Sequence, residues 1–267
     1  MNGGMNGHRP GRLIGVGVGP GDPELMTLKA VRAVGEADVV AHFAKAGRGG
    51  NARAIVTPHL RPGTRLLPLL YPVTTELHRH SPAYRAAIAA FFDGAAEAVA
   101  AELDAGLTVA VLSEGDPFFY GSYMHLHVRL APRYAVEVIP GVTGMSGCWS
   151  GAGAPIAQGD DVLSVVPGTL DEAELARRFR ESDAAVVMKL GRNLPKVRRA
   201  LAAAGRLEGA IYVERGTMPN AACRRLTDKP DDTAPYFAVV LIPGWRSAVA
   251  ATAVEATPPA AVARLAP

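Results

Sequence analysis

Cysteine is scarce in this chain: its 267 residues include two, Cys148 and Cys223. They stand far apart with no C-x-x-C spacing, which excludes a zinc knuckle and a redox pair and leaves two reduced thiols, Cys148 in the interior. No apolar run approaches the about 20 residues that a membrane-spanning helix requires, so no membrane association is expected. Blocks of Lys and Arg are missing too. The net charge is +3, with 28 Lys and Arg against 25 Asp and Glu, too dispersed for a nucleic-acid arm. Such a modest excess suits a polyanionic small molecule. Residues 1–10 are rich in glycine and asparagine without an apolar stretch, so they read as a flexible tail and not a secretion signal; cytoplasmic location is the default expectation.

Several chemical signatures are absent as well. G-x-G-x-x-G fails in both registers, because counting from Gly15 ends on Pro20 and counting from Gly17 ends on Asp22. Asp38 begins the next strand instead of ending it, so a nicotinamide cofactor is disfavoured. The pairs His78 and His80, and His125 and His127, do not share a helix face and have no cysteine or carboxylate set at ligand spacing, so no metal is expected. Gly144-Met145-Ser146-Gly147 lacks the final glycine of a nucleophile elbow.

What is present is an alternation. Short runs rich in Val and Ile at 13–18, 39–43, 109–112 and 136–139 alternate with helical patterns such as 27–35 and 84–105, which predicts a parallel α/β sheet. Pro140-Gly141 interrupts this, and Gly144, Gly147, Gly151 and Gly153 follow in what reads as a helix-poor crossing of small residues. The domains are therefore placed at 11–139 and 140–246. The second is another α/β unit with a mixed sheet, having strands at 162–166, 184–190, 210–213 and 237–242 and helices at 171–181 and 194–204. Residues 247–267, rich in alanine and proline, read as a disordered tail.

Two turns stand out: Gly19-Pro20-Gly21-Asp22-Pro23 after the first strand, and Ser113-Glu114-Gly115-Asp116-Pro117 after the third run. In each, an aspartate occupies a helix N-cap position and a proline the first helical position, so the same strand-turn-helix is expected twice. Gly15, Gly17, Gly19 and Gly21 strip side chains from the first turn, as a ligand cradle needs. Asp116 reads equally as a cap and as a direct ligand, while Glu114 has no local structural role visible in the sequence. Lys196, Arg198 and Arg199 read as solvent-facing.

The segments Gly15-Val16-Gly17-Val18-Gly19-Pro20-Gly21-Asp22-Pro23-Glu24-Leu25, Glu114-Gly115-Asp116-Pro117-Phe118-Phe119-Tyr120-Gly121 and Pro140-Gly141-Val142-Thr143 resemble the tetrapyrrole methyltransferase family, over residues 12–246. Within it, Tyr71-Pro72-Val73-Thr74, Gly121-Ser122-Tyr123-Met124, Val166-Pro167-Gly168-Thr169-Leu170, Met188-Lys189-Leu190-Gly191-Arg192 and Tyr212-Val213-Glu214-Arg215-Gly216-Thr217-Met218 resemble the branch that methylates carbon 20 of precorrin-2 in cobalamin synthesis. The resemblance implies two α/β domains, S-adenosylmethionine in the cleft between them, and a homodimer. It implies cofactor contacts at Pro20, Glu114, Gly115, Asp116, Phe119, Thr143, Gly144, Met188 and Gly216. Gly144 departs slightly from the family pattern, in which relatives often carry alanine or serine there.

A sulfonium methyl is already an activated electrophile, so transfer to an electron-rich ring carbon demands alignment within about 3–3.5 Å and exclusion of water, not a covalent nucleophile. A base is needed only to take up the displaced proton, for which Glu114, Tyr120 and Glu214 are the candidates. The tetrapyrrole carries carboxylates around its rim, and loop cations are the residues to grip them: Arg48, Arg53, Lys189, Arg192 and Arg215. The alternatives are the same chemistry on a cobalt-loaded ring, transfer to RNA or to a protein histidine, and a non-catalytic tetrapyrrole or nucleotide binder.

Overall fold

The computed structural model describes residues 11–72 and 81–244, in two compact units that divide between Thr143 and Gly144. Both expected tails, the pair His78 and His80, and Val73-Thr74 lie outside the described residues.

The first unit runs β1 (Arg12–Gly17), α1 (Leu28–Glu36), β2 (Val39–Lys45), α2 (Asn51–Val56), β3 (Arg65–Tyr71), α3 (Pro82–Asp104), β4 (Thr108–Ser113), α4 (Tyr123–Leu130) and β5 (Ala135–Ile139). Its strands form a five-stranded sheet in the order β3-β2-β4-β1-β5, parallel throughout. Both faces are covered, which is why the strands read as continuous apolar runs. Leu13, Val39, Ala41, Val109 and Val111 pack under α3 and α4, whereas Ile14, Val16, Val40, Ala110 and Leu112 pack under α1 and α2. Side-chain direction alternates along each strand, so one sheet feeds two cores.

Helix starts follow their caps: Thr27 Oγ1 accepts from Ala30 N–H at 3.1 Å and Ser81 Oγ from Tyr84 N–H at 3.1 Å. Strand β3 is not among the strands expected from the sequence; it contains Pro68, which is tolerated because the strand lies at the sheet edge. The expected strand-turn-helix duplication holds only in part. Asp22 accepts from Glu24 N–H at 2.9 Å and caps a single 3-10 turn, Pro23–Leu25, before α1. Asp116 accepts from Phe118 N–H at 2.8 Å, but no helix opens there; α4 begins at Tyr123.

The second unit runs α5 (Gly144–Gly151), β6 (Leu163–Pro167), α6 (Glu172–Glu181), β7 (Ala184–Met188), α7 (Leu194–Ala203), β8 (Ile211–Glu214), β9 (Ala222–Arg225) and β10 (Ala238–Ile242). The sheet is mixed, in the order β6-β7-β10-β8-β9, with β10 antiparallel to both neighbours. Helices α6 and α7 cover one face through Leu175, Phe179, Leu194 and Val197. The segment expected to be helix-poor is helix α5. It covers the other face, where Cys148 packs with Val186, Val213, Val239 and Leu241; burial of that apolar side overrides the poor helix propensity of glycine.

Arg198 corrects another expectation. Its guanidinium donates to the carbonyls of Leu226 at 2.8 Å and Lys229 at 2.7 Å and pairs with Asp232, tying the loop after β9 to α7. Arg199, exposed, pairs across the surface with Glu172. We expect Arg198→Ala to cost about 2–3 kcal/mol in urea unfolding, because buried carbonyls lose charged donors, and Arg199→Ala less than about 0.5 kcal/mol.

Candidate functional site

In the first unit the carboxyl ends of β4, β1 and β5 meet backbone against backbone. Val18 N–H donates to Ser113 O at 2.9 Å and Gly115 N–H to Gly19 O at 2.8 Å, so the two glycine turns are clasped together. A Cβ on Gly141 would stand 2.1 Å from Gly115 O, and one on Gly17 2.5 Å from Gly141 N. Asp116 completes the junction: one carboxylate oxygen accepts from Phe118 N–H and the other from Gly141 N–H at 3.1 Å. This modifies the cradle reading. The space freed at Gly15 is filled by the Tyr123 ring, and that at Gly17 by the Gly141 turn, so these two glycines admit protein rather than ligand. Gly19, left-handed at φ 79°, and Gly21 remain for the turn proper.

The connection from β2 to β3 leaves toward one side of the sheet and that from β4 to β5 toward the other, and open parallel sheets hold ligands in the crevice at such a switch point. Glu114 bridges that crevice. Its carboxylate accepts from Ala52 N–H at 3.2 Å, serving the start of α2, whose N-cap is Gly50 and has no side-chain cap of its own. Glu114 therefore does have a structural role, visible only when strands β2 and β4 are neighbours. Burial raises its pKa, against the bonds from Ala52 and the Asn51 side chain. Arg53 lies on α2 and not in the preceding loop, while Arg48 is exposed in the turn after β2. Phe119 and Tyr120 pack edge to face at 5.0 Å, and Pro20 and Thr143 are half-buried at their strand ends.

Sequence reasoning missed His42. It is 2% exposed on β2, and its Nδ1 has no hydrogen-bond partner among the described residues. Gly50 folds back over it, close enough that a Cβ there would lie 3.5 Å from Nδ1. Burial and then the Arg53 charge lower its pKa, opposed by a backbone bond at Phe43. The signal in the sequence was a polar residue inside an otherwise apolar strand run. The other histidine pair is engaged locally: His125 stacks on Phe92 at 4.0 Å and His127 bonds the Tyr123 hydroxyl at 3.2 Å.

In the second unit Met188 ends β7 and Lys189 follows it; Arg192 lies in a short 3-10 turn, Gly191–Asn193. Glu214 ends β8, where one carboxylate oxygen accepts from the Tyr212 hydroxyl at 2.7 Å. Arg215 and Gly216 come next, and Gly216 packs on Cys148, whose thiol burial pushes up to about 12. Gly144 opens α5 with no atom within 4 Å of where a Cβ would stand, so an added methyl there meets open space.

The sequence pattern of the tetrapyrrole (corrin/porphyrin) methylases matches residues 12–229, which contain both turns and every strand but β10. The chain belongs to this methylase family. It is 67% identical over 242 residues to a precorrin-2 C(20)-methyltransferase of Sinorhizobium sp, covering 91% of this chain and 99% of the relative. To a cobalt-precorrin-2 C(20)-methyltransferase of Salmonella typhimurium it is 31% identical over 237 residues, 87% of this chain and 96% of the relative. The fold matches a solved uroporphyrin-III C-methyl transferase from Thermus thermophilus, complexed with S-adenyl homocysteine, with a TM-score of 0.61 at 24% identity, covering 87% of this chain and 92% of that one.

Within this methylase, Gly141→Ala is expected to cost about 2–3 kcal/mol in urea unfolding because the added methyl meets backbone that cannot move aside, and Gly144→Ala less than about 0.5 kcal/mol. His42 predicts a pH dependence. The folded chain resists the proton that the unfolded chain takes up below about pH 6.5, so stability is present above that value and declines as pH falls through it. His42→Gln is expected to flatten the thermal midpoint between about pH 7 and 5, leaving the slope due to His125, whose pKa burial also lowers, and the opposite slope due to Glu114, whose pKa burial raises.

Proposed function

We propose that the chain transfers the methyl group of S-adenosylmethionine to carbon 20 of precorrin-2, giving precorrin-3A in cobalamin synthesis. The observation that carries this is the near full-length identity with the Sinorhizobium precorrin-2 C(20)-methyltransferase. The much lower identity with the Salmonella relative favours a metal-free ring over the cobalt-loaded one. A homodimer in the cytoplasm belongs to the same reading through the family resemblance, and no metal is assigned.

Pro20, Glu114, Gly115, Asp116, Phe119, Thr143, Gly144, Met188 and Gly216 are the residues proposed to hold the cofactor, which when bound supplies the electrophilic methyl group. The clasp of the glycine turns fixes the backbone at Pro20 and Gly115 before anything binds, so little ordering cost falls on the ligand. Asp116 spends both carboxylate oxygens on backbone amides, so its contribution is to hold the turn in shape. Among Glu114, Tyr120 and Glu214, the first is the best supported proton acceptor, since burial raises its affinity for a proton above that of an exposed glutamate. Arg48, Arg53, Lys189, Arg192 and Arg215 are proposed to meet the ring carboxylates.

The test is S-adenosylhomocysteine release with metal-free precorrin-2 as the only acceptor, with NMR locating the new methyl on carbon 20. Release only with the cobalt-loaded ring transfers the proposal to that substrate; none with either, despite cofactor binding, overturns it. Glu114→Gln keeps an oxygen for Ala52 N–H while removing the titrating group. Turnover is expected to fall about 100-fold with the melting temperature unchanged.

A further inference from the structure

Among the described residues, three that are not glycine have left-handed backbone: Tyr120 at φ 56°, Lys189 at φ 57° and Arg215 at φ 54°. In an L-residue this crowds Cβ against the backbone, and the conformation persists only where its surroundings impose it. Two of the three are cations in matching places. Lys189 is the first residue past β7 and Arg215 the first past β8. Each has a left-handed glycine close behind it, Gly191 at φ 43° and Gly216 at φ 23°, so glycine is available to these turns and yet does not occupy the strained position.

The sheet brings these cations to one end of its strands. Strands β7 and β8 both run antiparallel to β10, which lies between them, so their carboxyl ends point the same way. Val187 pairs with Val240, two residues into β10, and Lys189 follows two residues later, past the end of β7. Arg215 N–H donates to Phe237 O at 2.8 Å, one residue further along. The two backbones therefore flank the start of β10, about 10 Å apart at one interstrand spacing on each side. Lys189 is exposed and Arg215 half-buried. The ion pair of Arg215 with Glu214 is long, 3.7 Å, and Glu214 has its other oxygen on the Tyr212 hydroxyl, so the fork of Arg215 is not consumed by its neighbour.

We infer that Lys189 and Arg215 form a two-point clamp for two carboxylates of one rigid polycarboxylate ring, and that this clamp contributes directly to how tightly the tetrapyrrole is held. The inference rests on the proposed function and names the grip that function needs. Left-handed backbone takes each cation out of the strand pleat and fixes its root, so that less freedom is lost when the carboxylates arrive. Arg supplies a planar fork for one carboxylate and Lys a point charge for the other.

The experiment measures equilibrium binding of metal-free precorrin-2 under anaerobic conditions, alongside turnover, for the full chain and for Lys189→Gly and Arg215→Gly. Glycine relieves the backbone crowding, so a purely structural role predicts a melting temperature at or above that of the parent with ring affinity unchanged. The clamp predicts the same melting temperature and an unchanged affinity for S-adenosylmethionine, but ring binding weakened about tenfold in each variant, with Lys189→Arg restoring most of it. Ring affinity within twofold of the parent in both variants overturns the clamp, as does an equal loss of cofactor affinity. If the parent chain binds the ring without releasing S-adenosylhomocysteine, the proposed reaction fails while the affinities still decide the clamp. If it binds no ring at all, both fall.

Discussion

The first unit depends on three chain segments coming closer than side chains allow. Where β4, β1 and β5 end, Gly17, Gly115 and Gly141 touch backbone to backbone, with no room for a methyl group at Gly17 or Gly141. That contact puts polar backbone into a crowded place, and each amide there needs a partner. Asp116 answers for two of them, and the mutual bonds of the two glycine turns answer for others. A short acidic side chain is suited to this because it accepts two bonds at once and reaches only its near neighbours. The turn geometry, the placement of Pro20 and the direction in which the chain leaves for α4 all follow from it.

Charge is handled differently in the two units. In the first, Glu114 just past β4 and His42 on β2 belong to neighbouring strands at the switch point, and burial moves both toward their neutral forms. A region that disfavours charge in its own groups also makes proton uptake at either of them easier to change by a bound neighbour. In the second, cations stand at the carboxyl ends of β7 and β8 on strained backbone, while the ion pairs of α6 are ordinary surface pairs: Glu174 is held down to about 2 by Arg177 and Arg178. Exposed pairs of this kind contribute little to stability. The contrast separates groups placed for solubility from groups whose geometry the fold goes to some cost to maintain.

Much of the first sheet was legible in the sequence because a doubly covered parallel sheet needs unbroken apolar strands, and those at 13–18, 39–43, 109–112 and 136–139 announce themselves. Strand β3 was not, since Pro68 obscures its pattern and only its edge position makes that proline acceptable. Helix α5 was hidden for the opposite reason. Four glycines in ten residues argue against a helix locally, yet one face of the second sheet needs a cover and Cys148 provides its apolar contact. Arg198 looked like one more surface cation on a polar helix, because the carbonyls it bonds belong to a loop about 30 residues further on.

By itself the sequence determined the alternation of strands and helices, the two glycine turns and the family to which they belong, since these are written in local periodicity and in contiguous motifs. Only the tertiary structure decided what each motif residue touches. It turned Gly15 and Gly17 from ligand space into packing space, made Glu114 the cap of a helix that begins 63 residues before it, revealed a buried His42 nitrogen with no partner among the described residues, and set Lys189 and Arg215 at one end of their sheet. The reason is physical: these facts depend on which strands become neighbours, and strand order is fixed by the burial of whole faces rather than by any short run of residues.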